Sequence, residues 1–181
     1  MSKSPLSLPN HSTGGHSRHL PLPAHPLWIL FTFIVSYLLS LAESYSNIVW
    51  LPDLMALTLV YWTVHQPRLV GMTIAFICGL LMDVHNGSVL GQQSLSYVVL
   101  AYLAFLMHRR LPWFNLVGQA LHVFPILLIA QVVVLLIRLW FDGLWPGIPW
   151  FFQSLTGAIL WPVISLALSF PQRHMRPKED L

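Results

Sequence analysis

Six apolar runs, separated by short polar or proline-rich breaks, divide most of this chain: 28–42, 48–64, 69–83, 88–107, 116–140 and 150–170. A helix rises about 1.5 Å per residue and a bilayer's hydrocarbon core is about 30 Å thick, so such runs are read as membrane spans. The first is short, but it extends from Leu27 and through Tyr45. The expected fold is all-α, a polytopic membrane protein with six transmembrane helices.

Composition agrees with that reading. Of 181 residues 56% are hydrophobic and only 8% charged, with a mean hydropathy of +0.67, whereas an ordinary soluble domain carries about 25% charged residues. The length suits one helical domain, 27–170, between a Pro-, Ser- and His-rich tail, 1–26, and a short basic tail, 171–181. Low apolar content and no helical period predict a disordered amino-terminal tail. His11, His16, His19 and His25 lie in it without the regular spacing a metal site requires. The Ser40-Leu41-Ala42 sequence resembles a signal-peptide cleavage site, but the preceding tail is long and weakly basic, so the first run is read as an anchor. Cys78, the single cysteine, sits inside an apolar run and reads as a small packed side chain.

The net charge of +3 does not point to nucleic acid, because the basic residues never form a face. They act instead as topology signals. With both termini in the cytoplasm, Lys3, Arg18, Arg68, Arg109, Arg110, Arg173, Arg176 and Lys178 fall inside, eight of the nine Lys and Arg. Only Arg138 falls outside, a strong match to the positive-inside rule. Glu43, Asp83 and Asp142 then lie at the outer face. The carboxy-terminal basic tail holds the last span inside, with weak lipid contact added.

Between the third and fourth runs lies Gly79-Leu-Leu-Met-Asp83-Val-His85-Asn-Gly87-Ser-Val-Leu90-Gly91. A carboxylate near hydrocarbon must sit at the membrane edge, face the protein interior or have a partner. Glycines there permit a left-handed turn or close helix contact. Asp83 is expected to end the third helix and accept the amides that open the next, near Gly87 and Ser88; direct contact with a ligand or partner is the other reading. Asp83 and His85, two residues apart, point to different sides of a helix and have no third ligand nearby.

Other ionisable residues have plain roles. Pro52 is suited to start the second helix, which puts Asp53 in its first turn as a cap, with binding as the alternative. Tyr61-Trp62 closes that span with the amphipathic aromatics expected near an interface. Arg138 and Asp142 have the i,i+4 spacing of a local ion pair; a rival arrangement pairs Arg138 with Asp83 or Glu43. Tyr97, Tyr102, Trp161 and Phe170 read as bundle packing or interfacial anchors. No nucleophile, metal set or acid–base pair shares a site, so no enzymatic activity and no cofactor are expected.

The pattern Gly79-x-x-x-Asp83-x-x-x-Gly87-x-x-Leu90-Gly91 resembles the signature of the MreD rod-shape-determining family. The resemblance continues, in order, through Pro52-Asp53, Tyr61-Trp62, Pro67-Arg68, Ala101-Tyr102, Gln119-Ala120-Leu121 and Leu160-Trp161-Pro162, and covers about 27–170. The long amino-terminal tail departs from it. The resemblance implies a non-enzymatic component of the bacterial inner membrane that scaffolds or regulates lateral peptidoglycan synthesis. The partners it implies are an MreC-like bitopic protein and, through it, the MreB filament and the RodA glycosyltransferase with its transpeptidase. It also implies a fold similar to the membrane substrate-binding subunits of energy-coupling-factor transporters. On that footing Gly79, Asp83, Gly87, Leu90, Gly91, Pro52, Asp53, Tyr61, Trp62, Arg138, Trp161 and Pro162 are structural or partner-binding candidates. The alternative is a small-molecule-binding membrane subunit with a pocket opening outward near Asp83 and the loop between the fifth and sixth spans.

Overall fold

The computed structural model describes residues 26–44, 51–141, 143 and 145–174, with the backbone alone for 43, 44 and 170–174. The histidines of the amino-terminal tail, Asp142 and residues 175–181 of the basic carboxy-terminal tail lie outside these residues; residues 171–174 of that tail continue the last helix. Six α-helices form the described fold: α1 Pro26–Ser44, α2 Leu54–His65, α3 Met72–Asn86, α4 Gln92–Met107, α5 Leu116–Phe141 and α6 Phe152–His174. Single 3-10 turns, Leu111–Trp113 and Ile148–Phe151, lead into α5 and α6. Helix α5 and the segment Ile148–Ser169 are long and apolar enough to cross a membrane; the other helices are apolar but shorter.

Helix α2 is the centre of the molecule. Every residue from Met55 to Val64 is buried, because α1, α4 and α6 all pack on it. A helix apolar on all sides is what such a position requires. Hydroxyls hold α1 to it: Trp62 Nε1 donates to Thr32 Oγ1 at 2.9 Å, and Ser36 and Thr58 share a hydrogen bond of 2.6 Å. Tyr61 and Trp62, read from the sequence as interfacial aromatics, are 1% and 0% exposed. Their rings fill the bundle interior rather than face headgroups, because the neighbouring helices enclose α2 on every side.

Around this axis α2, α4, α5 and α6 pack in a closed cycle, α2 on α4, α4 on α5, α5 on α6 and α6 back on α2. Helix α3 is an outer buttress on α4. Side-chain bonds tie the cycle together: Ser96 Oγ donates to the Ala130 carbonyl at 2.8 Å, and Trp161 Nε1 to Gln119 Oε1 at 3.3 Å. Pro125 lies inside α5 and Pro162 inside α6, and both helices continue through them.

Candidate functional site

The α3–α4 connection is built on one carboxylate. Asp83 is 0% exposed and lies in the last turn of α3, which runs on to Asn86. Its Oδ1 accepts from Gln93 N–H at 2.7 Å and Ser88 Oγ at 3.0 Å. Its Oδ2 accepts from Gly91 N–H at 2.9 Å, Ser94 N–H at 3.2 Å and Ser94 Oγ at 3.1 Å. Three free amides at the start of α4 thus meet a buried negative charge at the positive end of the helix dipole.

The register differs from the sequence reading in one respect. Helix α4 begins at Gln92, not near Ser88, so the amides that Asp83 accepts come from residues 91, 93 and 94. The intervening Gly87-Ser-Val-Leu90-Gly91 needs two left-handed residues, Gly87 at φ 60° and Gly91 at φ 100°, a conformation that costs a side-chain-bearing residue energy. Ser88 N–H closes the turn on the Asp83 carbonyl at 3.2 Å. His85 takes no part: its ring lies edge-on to Tyr37 with centroids 6.4 Å apart. Leu90, at the tip, is 68% exposed.

The second carboxylate has a comparable place at α2. Asp53 is the N-cap itself, one residue before the helix, and Pro52 lies outside it rather than at its first position. Asp53 Oδ1 accepts from Ala56 N–H at 2.9 Å. Its Oδ2 accepts from Tyr97 Oη at 2.7 Å and Gln93 Nε2 at 3.2 Å. Gln93 therefore links the two carboxylates, its backbone on Asp83 and its side chain on Asp53. Two helix starts and one helix end are fixed by this single chain of bonds.

Beside it, inside the four-helix cycle, is a cavity of about 410 Å³ lined by Asp53 and Leu57 of α2, Gln92, Gln93, Ser96 and Tyr97 of α4, Leu127, Gln131 and Arg138 of α5, and Gln153 and Ser154 of α6. One turn further along each helix the space is filled. Tyr61 follows Leu57, Ala104 follows Leu100, Val123 precedes Leu127 and Trp161 follows Gly157, all at most 1% exposed. Tyr61 and Trp161 stack at a tilt with centroids 6.4 Å apart. The cavity is thus closed toward the Trp161 end, while its lining at the Asp83 end reaches the exposed Asn86.

Part of the lining is used structurally. Gln131 Nε2 donates to the Trp150 carbonyl at 2.6 Å and to Gln153 Oε1 at 3.3 Å, and Gln131 Oε1 accepts from Ser154 Oγ. Arg138 forms no ion pair with Asp83, whose oxygens are occupied by α4; Asp142 and the Glu43 side chain lie outside the described residues. The amides Gln92, Gln93, Gln131 and Gln153 were not singled out from the sequence. They are scattered over three helices, α4, α5 and α6, and only Gln131, in the middle of a long apolar run, gave a local signal.

The sequence profile of the rod shape-determining protein MreD family matches residues 24–170. The chain belongs to the MreD family. This membership covers all six helices except the last turn of α6 and makes the chain a membrane protein of rod-shape determination. In this MreD-family protein the buried carboxylates Asp53 and Asp83 each accept backbone amides at the start of a helix. No solved structure matches the chain.

Proposed function

We propose that this protein is a non-enzymatic scaffold or regulator of lateral cell-wall synthesis in the bacterial inner membrane. The observation that carries the reading is the family match over 24–170. It extends to six spans with both termini in the cytoplasm, supported by six apolar helices and by the positive-inside distribution of Lys and Arg. The tails 1–26 and 171–181 are then cytoplasmic extensions of a 27–170 membrane domain.

An MreC-like bitopic protein is the proposed direct partner, with the MreB filament, RodA and its transpeptidase reached through it. The Asp83 turn supports this role physically. It is held from within, so its outer surface, including Leu90, can meet a partner without losing shape. Gly79, Gly87, Gly91, Pro52, Asp53, Tyr61, Trp62, Trp161 and Pro162 are proposed as the structural frame behind that surface, and Arg138 as a group at its outer end. Deletion should abolish rod shape and disperse wall synthesis, and an MreC-like protein should co-purify; unchanged shape with no such partner would refute the reading.

The polar cavity favours a second reading, a small-molecule-binding membrane subunit. A likeness to the substrate-binding subunits of energy-coupling-factor transporters belongs to that reading, supported by a six-helix bundle with an internal polar space.

A further inference from the structure

The cavity between α2, α4, α5 and α6, which also reaches Ser40 of α1 and Met82 and Asn86 of α3, contains polar groups that the fold does not use. Gln92 is 4% exposed and lines the cavity, yet its carboxamide makes no hydrogen bond to any described residue. Ser40, 6% exposed, lines the same space, and its hydroxyl has no partner among the described residues. A buried hydroxyl left unpaired, as at Ser40, costs about 1–3 kcal/mol, so such a group is retained where something else satisfies it. At about 410 Å³ the space is far larger than a single water and falls within the range of small-ligand sites, toward its small end.

The chemistry of the lining narrows what fits. The Asp53 carboxylate already accepts from Ala56 N–H, Tyr97 Oη and Gln93 Nε2, so much of its accepting capacity is committed to the fold. Arg138 lines the cavity and its guanidinium makes no ion pair with a described residue. Guanidinium groups favour phosphate and carboxylate. Carboxamides and hydroxyls both donate and accept, as do the hydroxyls of a polyol. We infer that this cavity binds a small anionic polyol, a phosphate ester carrying free hydroxyls, with the anion on Arg138 and the hydroxyls on Gln92 and Ser40.

This chemistry occurs both in soluble sugar or glycerol phosphates and in the head group of phosphatidylglycerol. The inference rests on the cavity alone and stands or falls independently of the role in wall synthesis.

The test uses the full-length protein and native mass spectrometry to count bound species. One arm titrates glycerol 3-phosphate onto protein in detergent; the other compares nanodiscs of phosphatidylcholine with and without phosphatidylglycerol. A stoichiometric adduct in the first arm identifies a free ligand, and one retained on release from phosphatidylglycerol discs identifies a lipid head group. Gln92→Met removes no protein hydrogen bond, so it should keep the thermal stability of the parent while weakening the adduct at least tenfold. Arg138→Gln should weaken it as much, and phosphocholine should not bind. The inference is overturned if neither probe gives a stoichiometric adduct, if both variants bind like the parent, or if phosphocholine binds equally well.

Discussion

Gly79 and Ser94 bring α3 and α4 into backbone contact: a Cβ on Gly79 would stand 2.3 Å from Ser94 Cα and 2.6 Å from its nitrogen. Those atoms are main chain and cannot rotate away. Ser94 is also the residue whose amide and hydroxyl both reach Asp83, so the close approach at position 79 and the hydrogen bonds at position 83 depend on one another.

Gly79→Ala is therefore expected to be more harmful than a helix-favouring substitution usually is. Its methyl group must push the hairpin apart, at a cost of about 1–3 kcal/mol or more. Thermal unfolding in detergent should show a clear fall in Tm; a variant as stable as the parent would mean that the two helices do not touch there.

Asp83→Asn keeps the shape and removes the charge. The new amide group also turns a donor toward donors, so part of the five-bond arrangement is lost. Hydrogen bonds to a charged group contribute about 1.5–3 kcal/mol each. A loss of roughly 3 kcal/mol, with reduced abundance in the membrane, is the expected result. Retention of a proposed partner should fall in proportion to abundance; normal abundance together with normal partner binding would argue against the turn-organising role.

The two left-handed glycines should respond differently to asparagine. Gly87, at φ 60° and ψ 24°, sits where asparagine is tolerated, and nothing lies within 4 Å of its added Cβ. Gly91, at φ 100° and ψ −13°, lies beyond that region and should lose about 1–3 kcal/mol. Gly87→Asn is expected to stay within about 0.5 kcal/mol of the parent. Equal effects in an unfolding assay would contradict the geometry of the turn.

Tyr97→Phe removes the 2.7 Å donor to Asp53 without changing ring packing. Loss of that charge-assisted bond is expected to cost about 1.5–3 kcal/mol. Tyr102→Phe, on the same helix but 48% exposed, serves as the control and should leave Tm unchanged.

Much of the helical framework was legible in the sequence because apolar runs have abrupt ends. Pro67-Arg68 and Pro112 mark breaks, and Asp53 marks a helix start. The beginning of α4 was placed too early because Ser88-Val-Leu90 continues the apolar pattern, and only the tertiary reach of Asp83 decides that these residues form the turn. Tyr61 and Trp62 were assigned to an interface because sequence reports amphipathic character but not which neighbours surround a helix. The cavity was the least legible feature. The Asp83 end of the bundle was marked by its acidic and aromatic residues, yet the amides that line the space come from α4, α5 and α6 and acquire meaning only when those helices meet.

The burial of α2 also bears on how the chain is made. Its partner α6 follows the other five described helices in the chain, so Tyr61 waits for Trp161 until all of those have been synthesised. Until then one flank of the central helix has no permanent neighbour. A chain truncated before α6 should be recognised by membrane proteases as unfinished, whereas one lacking only the basic carboxy-terminal tail should not.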